Sequence, residues 1–220
     1  MTNFEHARRQ MVECQLRPNG VTNYNVINAF LSIPREDFVS KAQRPLAYID
    51  RSFLISQGDE SRFLSDAMSM AKLIQLARIT LDCIVLDIGC GTGYSTAILS
   101  TLCKSVVAIE SDSELAERAK HILMKRGFNN TAVVKAPLEA GLATEGPYDI
   151  IFIGGGVEQI PDTLKDQLKE KGRLVAVIGF GNSGVARLYK KSMGIVSQRD
   201  AFNCSMNPLP GFKKRTRFLF

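Results

Sequence analysis

The 220-residue chain predicts an α/β fold: a doubly wound, mostly parallel sheet with an N-terminal helical cap and an antiparallel C-terminal hairpin. Three observations carry this. From Cys83 onward, apolar runs of strand length alternate with segments of helical period, which is the pattern of parallel strands joined by crossover helices. The first run leads into Val85-Leu86-Asp87-Ile88-Gly89-Cys90-Gly91-Thr92-Gly93, an acid and a glycine-rich turn at a strand-to-helix junction. The last two runs are connected too tightly for a parallel crossover, so they pair antiparallel.

In chain order, residues 4–16 form a helix with Phe4, Ala7, Met11 and Val12 on one face, ended by Pro18 and Gly20. Residues 23–32 form a second helix, capped by Asn23 or Thr22, carrying Val26, Ile27 and Phe30 and stopped by Pro34. Residues 41–58 read as irregular structure with short extended pieces. A longer helix spans 64–76, with Ala67, Met68, Ala71 and Ile74 spread around it. The first sheet strand is 83–86, and Tyr94 starts the helix behind the glycine turn. The second strand, 106–110, ends in Glu110. Ser111-x-x-Glu114 reads as a capping box for a helix closed by Gly127. Residues 131–134 and 148–153 are strands, the latter followed by Gly154-Gly155-Gly156. A helix over 161–171, closed by Gly172, leads to a strand at 173–178. Strands at 185–190 and 195–201 turn around Met193-Gly194. The whole reads as one domain, 1–220, with 1–80 as cap and substrate segment and 81–220 as the cofactor-binding core.

Composition narrows the function classes. Hydrophobic residues make up 45% of the chain, which suits a globular core, and no apolar run approaches a membrane span. The charged opening MTNFEHARRQ lacks a secretory apolar region, so the expected compartment is the cytoplasm. Five cysteines, an odd number without a C-x-x-C, fit a reducing compartment. With only His6 and His121 available, no metal site is expected. The net charge of +6 includes the tail Lys213-Lys214-Arg215-x-Arg217. That tail reads as a solvated strand edge with gatekeeper charges. Aromatic and basic residues do not interleave as in single-strand binders, so neither nucleic acid nor membrane is an expected partner.

Glycines at alternate positions let the backbone turn tightly and approach a ligand, and the helix behind them offers free amides. A dinucleotide site prefers G-x-G-x-x-G. Here the spacing is G-x-G-x-G, and the carboxylate of Asp87 precedes it, which suits a zwitterionic or cationic ligand better than a pyrophosphate. Glu110, at the end of the next strand, can accept both hydroxyls of a ribose, a role open to either cofactor class. The pattern resembles the first motif of S-adenosylmethionine-dependent methyltransferases, in which that acid lies near the methionine end of the cofactor.

A family resemblance extends this. Gln15-Leu16-Arg17-Pro18-Asn19-Gly20-Val21, Ile33-Pro34-Arg35-Glu36-Asp37-Phe38-Val39 and Ala47-Tyr48-Ile49-Asp50 resemble the opening of protein-L-isoaspartate O-methyltransferases. So do Pro147-Tyr148-Asp149-Ile150-Ile151-Phe152-Ile153-Gly154, Ile160-Pro161-x-x-Leu164-x-x-Gln167-Leu168 and Gly172-Arg173-Leu174-Val175. The resemblance covers about residues 10–180; the last forty residues resemble less, with Pro208-Leu209-Pro210-Gly211-Phe212 read as a subgroup feature. It implies S-adenosyl-L-methionine as cofactor, held by Asp87, Gly89, Cys90, Gly91, Thr92, Gly93, Tyr94, Glu110 and Ser111. It also implies isoaspartyl proteins or peptides as substrates, repair methylation of their α-carboxylate, and a monomer or weak homodimer. The chain departs from the family at two places. The family segment Q-T-I-S-x-P appears as Arg62-Phe63-Leu64-Ser65-Asp66-Ala67, in which Ser65 matches the serine taken as catalytic. The adenine-side G-D-G appears as Ala136-Pro137-Leu138, so adenine contacts fall to backbone groups. Ser65 either orients a carboxylate or caps the helix after it, and Arg62 either meets a substrate carboxylate or is solvated. Two alternatives stand beside repair methylation: a methyltransferase with another, small-molecule acceptor, and a cofactor-binding protein without catalysis.

Overall fold

The computed structural model describes residues 3–58 and 60–214. Its centre is a seven-stranded sheet in the order β5-β4-β3-β6-β7-β8-β9, built from β3 (Ile84–Ile88), β4 (Ser105–Glu110), β5 (Thr131–Lys135), β6 (Tyr148–Val157), β7 (Leu168–Ile178), β8 (Val185–Ser192) and β9 (Ile195–Asn203). β5, β4, β3, β6 and β7 run parallel, and β8 and β9 are antiparallel. Val85 lies opposite Val106 and Leu86 opposite Val107, so the strands bearing Asp87 and Glu110 are neighbours, as the two-acid reading requires. Strand order reverses at β3, and ligands of such sheets bind at the C-terminal ends beside that switch point.

One face of the sheet is covered by α3 (Ala67–Ala77), α4 (Tyr94–Ser100) and α5 (Ser113–Lys125), and α2 (Tyr24–Ser32) packs on α3 and α4. Phe30 of α2 and Leu73, Ile98 and Leu123 belong to one buried cluster with Val85, Ile150, Phe152 and Val175. The other face packs Leu86, Ile88, Ile151 and Leu174 against Leu138, Leu164 and Tyr189, with the short α6 (Asp162–Asp166) above it. Alternate residues of each strand thus feed opposite layers, the expected consequence of a period of two. The N-terminal helix α1 (Phe4–Met11) continues through a π turn, Val12–Leu16. α2 starts at its predicted cap, the Asn23 carboxamide accepting from the amides of Asn25 and Val26.

Four expectations need correction. The helix placed at 64–76 starts at Ala67, because Arg62–Leu64 forms a strand, β2, paired with β1 (Phe53–Ser56). The capping box at Ser111 does not form: Asp112 caps α5, accepting from the amides of Glu114 and Leu115, while the amide of Ser111 is turned to Glu110. The helix placed at 161–171 lasts five residues. Gln167 ends it, its amide group donating to the carbonyls of Ala140 and Thr163 and its main-chain oxygen accepting from Tyr148, so Leu168 already lies in β7. Finally, Lys213 and Lys214 follow the last strand rather than fringe it, the Lys214 amide donating to Glu158 at 2.6 Å; Arg215 and Arg217 lie outside the described residues.

Candidate active site

The glycine turn leaves β3 at its C-terminal end. Gly89, Gly91 and Gly93 all have positive φ, at 78°, 56° and 95°. That conformation is costly for residues with a Cβ, and it explains why this turn needs its glycines. Thr92 ties the turn to the cap, its hydroxyl donating to the Phe38 carbonyl at 2.6 Å. Cys90 is buried, and burial pushes its thiol well above the usual range. Tyr94 opens α4 fully buried, edge-on to Phe30.

Asp87 is fully buried. Its Oδ2 accepts from the hydroxyls of Ser95 and Thr96 at 2.8 and 2.7 Å, and its Oδ1 has no partner among the described residues. Burial raises its pKa to about 6, against the hydroxyls, which lower it. An unpaired buried carboxylate oxygen is costly, and a cationic ligand group would satisfy it. On this observation the residues fit the methionine end of the cofactor. The predicted adenine side fits as well: Ser111, Ala136, Pro137 and Leu138 line a cavity of about 450 Å³ with Glu60, Lys135, Glu139, Pro210 and Gly211.

Between these two ends the groove holds the chain's own residues. Glu110 is fully buried at the end of β4. Its Oε1 accepts from the amides of Ser111 and Asp112. Its Oε2 accepts from the Gly91 amide at 2.7 Å and the Arg62 guanidinium at 2.6 Å. These contacts use the roughly four acceptor positions of a carboxylate. Arg62 is itself 3% exposed, so the expectation of a solvated arginine is wrong. A Cβ built on Gly89 would meet the Leu209 side chain at 2.8 Å, and one on Gly91 would meet Ile55 at 2.7 Å.

Ser65 lies at the mouth, buried, its hydroxyl donating to the Gly154 carbonyl at 3.3 Å. It is not the cap of α3: that is Asp66, which accepts from the Ser69 amide at 2.7 Å. Arg35 fixes the Ser65 backbone. Its guanidinium is 1% exposed, stacks on Tyr94, and donates to the carbonyls of Ala47 and Ser65 at 2.9 and 2.7 Å. Tyr48 and Glu36 extend the network, Tyr48 donating to Glu36 and accepting from Arg8 at 2.8 Å. The blocks around Arg35 and Tyr48 that carry the family resemblance therefore form the support of the Ser65 segment. Arg35, Ile55 and Leu209 escaped sequence reasoning, because nothing local distinguishes a bracing arginine or a ligand-groove leucine from an ordinary one.

The sequence matches the family profile described as protein-L-isoaspartate(D-aspartate) O-methyltransferase over residues 7–214. Among curated relatives, the protein-L-isoaspartate O-methyltransferase of Koribacter versatilis is 33% identical over 96% of this chain and 94% of its own length. That of Protochlamydia amoebophila is 41% identical over 77% of this chain and 79% of its own. Among solved structures, a protein-L-isoaspartate O-methyltransferase superposes with a TM-score of 0.82 at 29% identity, covering 93% of this chain and 66% of that one. A Plasmodium falciparum structure described under the same activity, in complex with S-adenosyl-L-homocysteine, shares the fold at a TM-score of 0.76 and 19% identity. With its full sheet, its glycine turn and its two acids in place, the chain belongs to the protein-L-isoaspartate(D-aspartate) O-methyltransferase family.

Proposed function

We propose that this protein transfers a methyl group from S-adenosyl-L-methionine to the α-carboxylate of L-isoaspartyl residues, the first step in their repair. The observation that carries it is the buried, half-unpaired Asp87 beside the left-handed glycine turn, with Glu110 at the adjacent strand end. When bound, the cofactor supplies an electrophilic methyl on a sulfonium. Asp87 would hold its cationic amino group, Glu110, once parted from Arg62, would take its ribose, and the segment 136–138 would border its adenine. The acceptor carboxylate is ionised at neutral pH, so no side chain has to remove a proton. This agrees with His6 and His121 lying exposed. The chain's task is positioning and water exclusion. Ser65, braced by Arg35, turns its hydroxyl from Gly154 to one carboxylate oxygen, so that the other is presented for reaction. The peptide on either side of the damaged residue lies in the groove of about 610 Å³ that begins at Asp66 and is lined by Asp50, Arg51, Ser69 and Lys72. Residues 1–220 act as one domain, a reading supported by a buried cluster running from Met11 to Met206.

The test is transfer of labelled methyl from S-adenosylmethionine to an isoaspartyl peptide and to its normal aspartyl twin. Methylation of the first alone is expected. Equal methylation of both, or of neither, overturns the acceptor assignment and turns attention to Arg62, Phe63 and Ala67.

A further inference from the structure

The C-terminal segment after β9 is laid into the crevice at the switch point of the sheet. The Gly156 amide donates to the Asn207 carbonyl at 2.8 Å, and the Leu209 amide donates to the Gly156 carbonyl at 2.9 Å, giving a parallel bridge between Gly156 and Pro208. The triple glycine at the end of β6 is what admits it. A Cβ on Gly155 would come within 2.6 Å of Leu209 and 2.9 Å of the Asn207 oxygen, and one on Gly156 within 2.8 Å of the Met206 oxygen. Leu209 then sits on both Gly155 and Gly89, 7% exposed, and Phe212 is 2% exposed beyond it. From the other side the β1–β2 hairpin brings Ile55 onto Gly91 and Arg62 onto Glu110, and Ser56 donates to Asp112 at 2.8 Å.

We infer that residues 204–212 and the β1–β2 hairpin form an internal latch: Leu209 and Arg62 occupy the middle of the cofactor groove and must leave it for the cofactor to bind. The inference rests on the cofactor reading given above. Three independent contacts support it. Leu209 covers the first glycine of the turn, Ile55 covers the second, and Arg62 holds the acid on which a ribose would depend. Both ends of the groove remain suited to the ligand, the unpaired Asp87 oxygen at one and the cavity beside Pro137 at the other, so only its middle is shut. Because the competent state is then a fraction of the population, the apparent affinity is lowered by that fraction, and variants that loosen the latch recover it. Arg62 gives this chain a cation that pairs with Glu110.

The experiment combines calorimetric binding of S-adenosylhomocysteine with amide hydrogen exchange on the parent, Arg62→Gln and Leu209→Ala. In the parent, saturating ligand should accelerate exchange at Gly156 and Leu209, whose amides are bonded only while the segment is docked. Both variants should bind the ligand about tenfold more tightly or better, and binding by the variants alone would give the same support. If the parent binds the ligand with exchange at these amides unchanged or slowed, and Leu209→Ala binds no more tightly, the latch is wrong while the cofactor reading stands. If folded parent and both variants all fail to bind, the cofactor reading falls and the latch with it.

Discussion

In the reaction proposed above the chemistry turns on Ser65 and Asp87, and each makes a distinct prediction. Ser65 donates one long hydrogen bond, to Gly154, and plays no part in capping α3. Ser65→Ala should therefore leave S-adenosylhomocysteine affinity nearly unchanged in calorimetry. It should slow isoaspartyl methylation by about 10- to 100-fold, the equivalent of one positioning hydrogen bond of about 1–3 kcal/mol. A purely structural serine would instead lower the melting temperature and keep its rate per folded molecule. Asp87 carries a linkage prediction. Its folded pKa of about 6 exceeds the ordinary 3.8, so between these values the folded chain holds a proton that the unfolded chain has lost. Its contribution to stability is therefore complete at low pH and is lost as pH rises through about 6, an effect on the order of 3 kcal/mol. Asp87→Asn removes that dependence. Denaturant titrations of the ligand-free protein should show the variant gaining stability over the parent from pH 4 to pH 7, and a constant difference across that range would refute the assignment. Both residues were legible in the sequence, Asp87 from its place before the glycines and Ser65 from the family segment. The partner of Glu110 was not. Arg62 lies 48 positions away in sequence, and nothing near it reveals that the hairpin turns it inward.

The elements of the sheet were legible because strand and helix periods differ and glycines mark the joints; their ends were not. β6 runs on through Gly154–Gly156 because the segment 206–209 supplies hydrogen bonds along its end, a partner some fifty residues distant. α6 stops at Asp166 because the Gln167 side chain is taken up by the carbonyls of Ala140 and Thr163. Helical periodicity could report neither contact. The hairpin joining β8 and β9 was read correctly, and its turn holds a local cost. Met193 and Gly194 have φ of 52° and 75°, the pairing of a type I′ turn, yet Met193 has a Cβ and is 91% exposed, so no packing repays the strain. Asparagine tolerates this region better. Met193→Asn should raise stability by about 0.5–1 kcal/mol in thermal denaturation, without effect on ligand binding; an unchanged or lower melting temperature would show that the turn is not strained.

At the scale of the molecule, the two acids stand at the ends of adjacent strands beside the point where strand order reverses. At the same end Thr92 bonds to Phe38 of the N-terminal segment and Ser65 bonds to Gly154. That arrangement suits a nucleoside with a cationic tail better than a pyrophosphate, as proposed above. The sequence already separated these through the carboxylate of Asp87 and the G-x-G-x-G spacing. It could not show that the same groove receives the chain's own C-terminal segment, since that contact joins Gly156 to residues some fifty positions further on. The most direct test is calorimetric titration of the parent with S-adenosylhomocysteine and, separately, with NAD. Saturable binding of S-adenosylhomocysteine at one site per chain, with NAD bound at least about tenfold more weakly, a difference of about 1.4 kcal/mol, is the expected result. Tighter binding of NAD, or no binding of S-adenosylhomocysteine by the folded protein, would contradict the assignment of the groove.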